Sequence, residues 1–110
     1  MDRGYGKCHV WVENNRVGIT QHASDELHGI VYVTVDPGTY REGDVFGTIE
    51  STKAAEDLIT PCDLTIGGIN PEVESNPSVL DDNAEETPVA FVENVDMDGL
   101  MTREEYLECL

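Results

Sequence analysis

The sequence predicts a mainly β protein, a small sandwich or barrel built from one domain that spans residues 1–110. Three observations lead to this prediction. A chain of 110 residues is long enough for one hydrophobic core but not for two. Hydrophobic residues make up 39% of the chain and aromatic residues only 6%, so the core must consist mainly of Val, Ile and Leu. Short β-rich runs alternate with turn-forming residues over the first two thirds of the chain.

Six runs have the composition of strands. They are rich in β-branched residues and are bounded by good turn sequences, of which Asp36-Pro37-Gly38 is an example. The expected strands are residues 10–12, 16–19, 30–35, 45–50, 58–59 and 64–66.

Two short helices are expected inside the chain. Thr20 is placed to cap a helix of one or two turns that ends near Gly29. Asn76 followed by Pro77 has the pattern of an N-cap residue with proline at the first helical position.

A third helix is predicted at the C-terminus. Thr102 and Glu105 have the spacing of a capping box, and Met101 and Tyr106 have that of a hydrophobic staple. An apolar face continued by two leucines is expected to pack this helix on the sheet; the leucines are Leu107 and Leu110.

The charge balance excludes several classes of partner. Six basic residues against 23 acidic ones give a formal net charge of −17, a field that repels both phosphate backbones and anionic lipids. We therefore expect no nucleic acid and no membrane partner. The sequence also contains no apolar run long enough to span a bilayer.

The cysteines give no disulfide or zinc pattern. Cys8, Cys62 and Cys109 are odd in number and widely spaced, without a C-x-x-C pair. A reducing compartment follows as the expectation.

Lys53 is the only basic residue between Arg41 and Arg103. It falls between two apolar strand-like runs, where the tip of a hairpin is expected. A lysine at an exposed tip suits covalent attachment of a swinging arm, because its ε-amine lies on a flexible stem and can be acylated. On local sequence alone, a plain surface lysine paired with Glu50, Glu56 or Asp57 remains the alternative.

The residues around Lys53 resemble the lipoylation segment of glycine cleavage H proteins. In that family a Glu-Ser-x-Lys-Ala core surrounds the modified lysine, and residues 50–54 here read Glu-Ser-Thr-Lys-Ala. Further similarities follow in family order along almost the whole chain. They are Tyr5, His9-x-Trp11-Val12, the Val-Gly-Ile-Thr-x-His-Ala run of 17–23, Pro61, Ile69-Asn70, Asn76-Pro77 and the Asp-Gly-Leu-Met-Thr-x-Glu-Glu-Tyr-Leu run of 98–107.

The same comparison separates the chain from other carriers. Biotin carriers usually have Met beside the modified lysine, whereas Lys53 lies between Thr52 and Ala54. Lipoyl domains of ketoacid dehydrogenases usually read Asp-Lys-Ala and lack the capped C-terminal helix. The resemblance thus favours lipoyl over biotin.

The resemblance implies a fold, a cofactor and a set of partners. The fold would be a barrel-sandwich hybrid of two sheets with short helices and a C-terminal helix. The chain would catalyse nothing itself. After modification by a lipoylating enzyme it would carry lipoate on Lys53, and it would shuttle the aminomethyl group of glycine between glycine decarboxylase, aminomethyltransferase and dihydrolipoyl dehydrogenase.

Glu50 and Asp57 are the residues expected to help recognition of the modified turn or to hold the loaded arm. The location would be cytoplasmic in a bacterium, or the matrix of a mitochondrion or related organelle in a eukaryote.

Three alternatives remain open at this point. The chain could be an H-like lipoyl protein that acts in lipoyl relay or regulatory modification without glycine cleavage, or, more weakly, a biotin carrier. From another class, it could be an acidic calcium-binding module, because residues 94–105 have EF-hand spacing, with Asn94 first, Gly99 sixth and Glu105 twelfth. Against calcium, the preceding segment contains Pro88 and β-branched residues, which make a poor incoming helix.

No metal or catalytic residue is assigned from the sequence. His9, His22 and His28 lack a recurring Ser-His-Asp or paired-carboxylate pattern, so structural or surface roles are expected for them.

The chain departs from the H-protein pattern at two places. Typical members have glutamate between the His and Trp of the N-terminal motif, in the cleft that receives the loaded arm, and this position is Val10 here. Residues 84–88 also lack the Tyr-Gly-x-Gly-Trp pattern common before the final strand, which predicts a different cleft wall.

Overall fold

The computed structural model describes residues 3–13 and 15–110, which form two antiparallel sheets with short helices between them. The larger sheet has six strands in the order β1-β2-β3-β9-β8-β5, and the smaller has three in the order β4-β6-β7. Within the described residues, no helix is both long enough and apolar enough to cross a membrane.

The strands are short, and short connections join three antiparallel neighbour pairs, β1 with β2, β2 with β3 and β6 with β7. Their bounds are β1 Gly4–Tyr5, β2 Val10–Val12, β3 Arg16–Ile19, β4 Ile30–Val35, β5 Gly38–Tyr40, β6 Val45–Ser51, β7 Ala55–Ile59, β8 Leu64–Ile69 and β9 Ala90–Glu93. The prediction of a mainly β chain is confirmed, and all six expected strands are present. The sequence analysis did not assign β1, β5 and β9.

In the part of the chain that the structure describes, three helices and one 3-10 turn connect strands, and a fourth helix follows the last strand. Their bounds are α1 Gln21–Leu27, α2 Pro71–Ser75, the 3-10 turn Pro77–Val79, α3 Leu80–Asn83 and α4 Arg103–Glu108. Thr20 caps α1, since its hydroxyl accepts a hydrogen bond from the Ala23 N–H. The expectation at Asn76 is confirmed in position, since Asn76 is the N-cap residue of the 3-10 turn and Pro77 is its first residue, but its side chain makes no capping hydrogen bond and instead accepts one from Ser78 Oγ at 2.8 Å. The side-chain cap lies at the preceding Asn-Pro pair, where Asn70 accepts from the Glu72 N–H.

The main core lies between the two sheets. Val12 and Val17 of the larger sheet and Phe46 and Ile49 of the smaller one are at most 1% exposed, and they belong to one continuous cluster. Gly47 allows β4 and β6 to approach closely: a Cβ at this position would lie 2.1 Å from the carbonyl oxygen of Thr34. This close packing of β6 on β4 fixes the position of the β6–β7 hairpin relative to the rest of the smaller sheet.

The C-terminal helix closes the end of the larger sheet. The capping box of Thr102 and Glu105 is formed as predicted. Tyr106 is 3% exposed, and its ring stacks on that of Tyr5 at 5.1 Å beside the buried Trp11. An isolated antiparallel bridge joins Tyr5 to Met101, with both hydrogen bonds at 2.8 Å.

One part of the C-terminal prediction is wrong. Leu107 and Leu110 are 50% and 53% exposed, so they do not extend the apolar face that packs on the sheet. The helix has only six residues and ends at Glu108, so Tyr106 is its only buried side chain; it packs against Tyr5 and Trp11.

Candidate functional site

Lys53 lies at the tip of the hairpin formed by β6 and β7, and its side chain is exposed. Ser51 fixes the backbone of the tip, because its Oγ accepts hydrogen bonds from the N–H groups of Lys53 (3.3 Å) and Ala54 (3.1 Å). Thr52 N–H donates to the carbonyl oxygen of Gly29 at 3.2 Å, which ties the tip to the turn after α1. The tip is thus rigid in its backbone while the lysine side chain points into solvent.

The described residues place no carboxylate within 4.0 Å of the Lys53 ammonium group. Glu50, Glu56 and Asp57 are all exposed, and none of them forms an ion pair with it. The lysine is therefore presented as a free amine-bearing arm rather than as half of a surface pair.

A cleft of about 270 Å³ lies between the hairpin, β2 and α1. Its wall is apolar, with Val10 and Ile19 from the larger sheet and Ile49 and Leu58 from the smaller one. Three acidic residues also contribute to the lining, namely Glu26, Glu56 and Asp57. An apolar pocket with a few polar groups at its edge is the usual form of a small-ligand site.

The two acidic residues selected from the sequence differ in position. Asp57 lines the cleft and pairs with Thr48 across the hairpin. Glu50 is not among the described residues that line the cleft; it is exposed and directly opposite Tyr32 in the sheet. The structure thus brings Asp57, but not Glu50, to the cleft.

Sequence analysis missed Glu56 and Glu26 as lining residues. Glu56 is opposite Ile49 in the hairpin, one residue before Asp57. Glu26 lies one helical turn after His22 in α1, with its Oε1 2.9 Å from His22 Nε2. The spacing of four residues between His22 and Glu26 was a signal that these two side chains share one helix face.

Val10 forms part of the cleft wall and is 2% exposed. A side chain at this position faces the cleft between β2 and the hairpin, as the resemblance implied. The wall at this position therefore offers hydrocarbon and no hydrogen-bond acceptor.

Cys8 and His9 form the cleft edge just before β2. Burial raises the pKa of the Cys8 thiol, which donates a weak hydrogen bond to the carbonyl oxygen of Ile59 at 3.2 Å. The thiol form is therefore favoured, and the thiolate that nucleophilic chemistry needs is not.

Residues 84–88 lie away from this cleft. The carbonyl oxygen of Ala84 accepts a hydrogen bond from Trp11 Nε1 at 3.1 Å. Glu85 accepts from the Tyr5 hydroxyl at 3.0 Å and from the N–H of Gln21 at 2.7 Å. This segment thus contacts β1, β2 and the start of α1, and none of its five residues is part of the described cleft lining.

The segment with EF-hand spacing is not flanked as a calcium loop requires. Strand β9, which ends at Glu93, occupies the place of the incoming helix. The carboxylate of Glu105, which would be the bidentate ligand, accepts a hydrogen bond from the Thr102 N–H at 2.9 Å as part of the capping box. The geometry of this segment is that of a helix start.

The family model and the related sequences that match this chain all belong to the same family. The family model described as glycine cleavage H-protein matches residues 3–110. A glycine cleavage system H protein of Thermoanaerobacter sp. (strain X514) is 36% identical over 115 aligned positions, which cover 96% of this chain and 91% of the relative. One from Staphylococcus epidermidis (strain ATCC 12228 / FDA PCI 1200) is 33% identical over 117 positions, with 96% and 92% covered.

A solved structure is also similar. The crystal structure of a glycine cleavage system H protein from Mycobacterium marinum matches with a TM-score of 0.86 and 26% sequence identity. The match covers 98% of this chain and 95% of that one, so the similarity extends over almost the whole fold.

Proposed function

Because the chain belongs to the glycine cleavage H-protein family, we propose that Lys53 is the residue on which it carries a covalently bound lipoyl group. The chain is the non-catalytic carrier component of the glycine cleavage system, and members of its family are typically lipoylated. The single observation that supports the position is the exposed, unpaired lysine on a backbone-fixed hairpin tip. We further propose that residues 1–110 form one lipoyl-carrier domain.

The residues present fit a lipoyl group. Attachment requires an accessible ε-amine, which Lys53 provides, and a flexible arm of this kind needs an apolar surface on which to rest. The cleft beside the hairpin offers that surface through Val10, Ile49 and Leu58. When bound, a lipoyl group supplies the dithiolane that takes up and releases the aminomethyl group of glycine; the protein supplies attachment and surroundings.

The acidic residues would then have two distinct roles. Asp57 lines the cleft and is placed to accept a hydrogen bond from a cationic amine held there, with Glu56 as a second carboxylate. Glu50 lies outside the cleft and close to the tip, so its role would be recognition of the turn by the lipoylating enzyme. A cationic cargo gains a charge-assisted hydrogen bond from such a carboxylate.

The partners follow from membership of the system. They would be glycine decarboxylase, aminomethyltransferase and dihydrolipoyl dehydrogenase, together with the lipoylating enzyme. A net charge of −17 favours docking onto basic surfaces of these enzymes. Tethering the arm raises its effective concentration at whichever enzyme is docked.

A second candidate function is favoured by Val10. Without the family glutamate in the cleft, the chain is also suited to lipoyl relay or regulatory modification, which need the lipoyl arm but no protected aminomethyl cargo. Both candidates require modification of Lys53. Reconstitution of glycine cleavage with the three partner enzymes distinguishes them, because only the carrier of glycine cleavage supports turnover of glycine.

Intact-mass analysis of protein from its native host tests the attachment site. We expect one lipoyl or octanoyl group on the wild-type chain and none on Lys53→Arg, because arginine keeps the charge but has no acylatable amine. Lys7→Arg is the matched control, since Lys7 is the other lysine of the chain and is also exposed. Modification that survives Lys53→Arg or is lost in Lys7→Arg contradicts the proposal, as does an unmodified wild-type chain in cells with active lipoylation.

A further inference from the structure

Two histidines and a glutamate meet at one edge of the cleft. His9 immediately precedes β2, and His22 and Glu26 lie one turn apart in α1. A nitrogen or carboxylate oxygen from each of the three lies within 4.8 Å of those of the other two. The imidazole rings of His9 and His22 are 4.8 Å apart between centroids. The proposed lipoyl attachment uses none of these side chains.

The backbone holds His9 in this position. Its φ of 65° lies in the left-handed region, which non-glycine residues rarely adopt but which His tolerates better than most. Its carbonyl oxygen accepts a hydrogen bond from the Thr20 N–H at 3.0 Å, directly before α1. The strained turn and the start of the helix thus bring His9 beside His22, which is two residues after Thr20.

A second layer of hydrogen bonds orients the His9 ring. Its Nδ1 is 2.7 Å from the hydroxyl of Tyr106, which is in turn 2.8 Å from Thr20 Oγ1. In the tautomer whose Nδ1–H donates to the Tyr106 hydroxyl, Nε2 of His9 keeps a free lone pair. Metal-binding histidines almost always have their other ring nitrogen bonded in this way.

We propose that His9, His22 and Glu26 form a binding site for a divalent transition-metal ion, best suited to zinc. Two imidazoles and one carboxylate are a ligand set that zinc uses in sites with one open position. The open position faces the cleft, because His9 and Glu26 both line it. Donor atoms around zinc lie about 3.3–3.5 Å apart, given bonds of about 2.0–2.2 Å. On binding, separations of up to 4.8 Å in the cluster must therefore shorten, and the 2.9 Å contact between His22 Nε2 and Glu26 Oε1 must lengthen. Glu26 allows this adjustment, because its side chain is 66% exposed.

The site does not depend on lipoylation, so it is tested on the unmodified full-length chain. Metal is first removed with a chelator, and zinc chloride is then titrated by calorimetry. The exposed Cys109 thiol is itself a zinc ligand, and all proteins therefore carry Cys109→Ser. We expect one equivalent of zinc to bind, and His22→Gln, Glu26→Gln and His9→Asn each to weaken binding by about tenfold or more. Asparagine is chosen at His9 because it tolerates a positive φ.

Matched controls use the same types of residue outside the cluster. His28→Asn removes the third histidine, whose φ of 56° asparagine also tolerates, and Asp25→Asn removes one negative charge from α1. Both variants should bind zinc like the parent protein. The proposal is overturned if the parent shows no saturable binding. It is equally overturned if the three ligand variants bind like the parent, or if the controls weaken binding as much as the ligand variants do.

Discussion

Val10 is the residue at which the cleft of this chain departs most from that of its family. Its side chain lies in the wall between β2 and the hairpin and offers no hydrogen-bond acceptor. A cationic aminomethyl cargo resting there would rely on the other carboxylates of the cleft lining, those of Glu26, Glu56 and Asp57. Hydrogen bonds to charged groups contribute about 1.5–3 kcal/mol, so one missing carboxylate matters to how long the cargo is retained.

Val10→Glu should therefore slow spontaneous loss of ammonia and formaldehyde from the loaded, isolated protein by roughly tenfold, the equivalent of about 1.4 kcal/mol. Val10→Gln is the control, because it adds the same bulk without the charge. Release of formaldehyde from loaded protein, followed over time, gives the rates. Equal rates in all three proteins would show that position 10 does not protect the cargo.

At the level of single residues, the sequence predicted the attachment lysine and one cleft carboxylate, but it did not predict which other side chains lie beside them in the cleft. Lys53 and Asp57 were found because they belong to a contiguous run whose order is characteristic of a family. Glu26 and His9 were not assigned to the cleft, because they are 17 positions apart and meet only through the packing of α1 on the turn before β2. Long-range proximity of this kind has no local sequence signal.

Helix α4 is the element whose stability rests most clearly on its first turn. It has only six residues, too few to be stable alone, and it is retained by the capping box and by Tyr106 packed on Tyr5. The Thr102 hydroxyl accepts the hydrogen bond of the Glu105 N–H at 3.2 Å.

Thr102→Ala should lower the free energy of unfolding by about 1 kcal/mol, the usual cost of losing an N-cap side chain. Two variants serve as controls: Thr102→Ser keeps the capping hydroxyl, and Glu105→Gln keeps a side chain that can complete the box. Urea denaturation followed by circular dichroism measures the difference. A loss of the same size in the serine or glutamine variant would mean that the box is not what stabilises α4.

Among the elements, those with a strong local pattern were predicted with their bounds. Strands β3 and β4 agree residue for residue with the expected runs 16–19 and 30–35. Strand β5 was missed because Gly38 was taken as part of a turn; in the structure it begins a three-residue strand that exists through its pairing with β8. Short edge strands of this kind are formed by tertiary pairing, which local propensity does not report.

At the scale of the whole molecule, the chain has only six basic side chains against 23 acidic ones, so the ion pairs that the basic side chains form are structurally important. Glu13 is 6% exposed and lies between two of these basic side chains, with Arg3 Nη2 at 2.8 Å from its Oε1 and Arg16 Nε at 2.9 Å from its Oε2. Arg3 also lies over the Trp11 ring at 3.8 Å. Burial alone would raise the pKa of Glu13, but hydrogen bonds from Arg16 and Arg3 and their charges lower it overall.

A carboxylate whose pKa is lowered by folding stabilises the fold above its unfolded pKa, which for Glu is 4.5. This contribution is lost as the pH falls through the lower pKa of the folded state. The stability difference between wild type and Glu13→Gln should therefore be largest near neutral pH and shrink progressively in acid below about pH 4.5.

The other carboxylates contribute almost the same pH dependence to the free energy of unfolding in both proteins. Taking the difference between the two proteins therefore removes most of that shared contribution. The free energy of unfolding is measured by urea denaturation at several pH values between neutral and acid. A difference that stays constant across this range would show that the Glu13 ion pairs contribute nothing that depends on its charge.

The bridge between Tyr5 and Met101 has a consequence for how the molecule behaves among its own copies. Strand β1 is an edge of the six-stranded sheet, and an unpaired edge is a template on which strands of other molecules can add. Here the amide and carbonyl of Tyr5 on that side are both bonded to Met101 of the same chain, and α4 follows directly after it. The C-terminal segment thereby covers part of a sheet edge on which a strand of another molecule could pair. This protection suits a carrier that must dissociate from each enzyme after docking and must not aggregate.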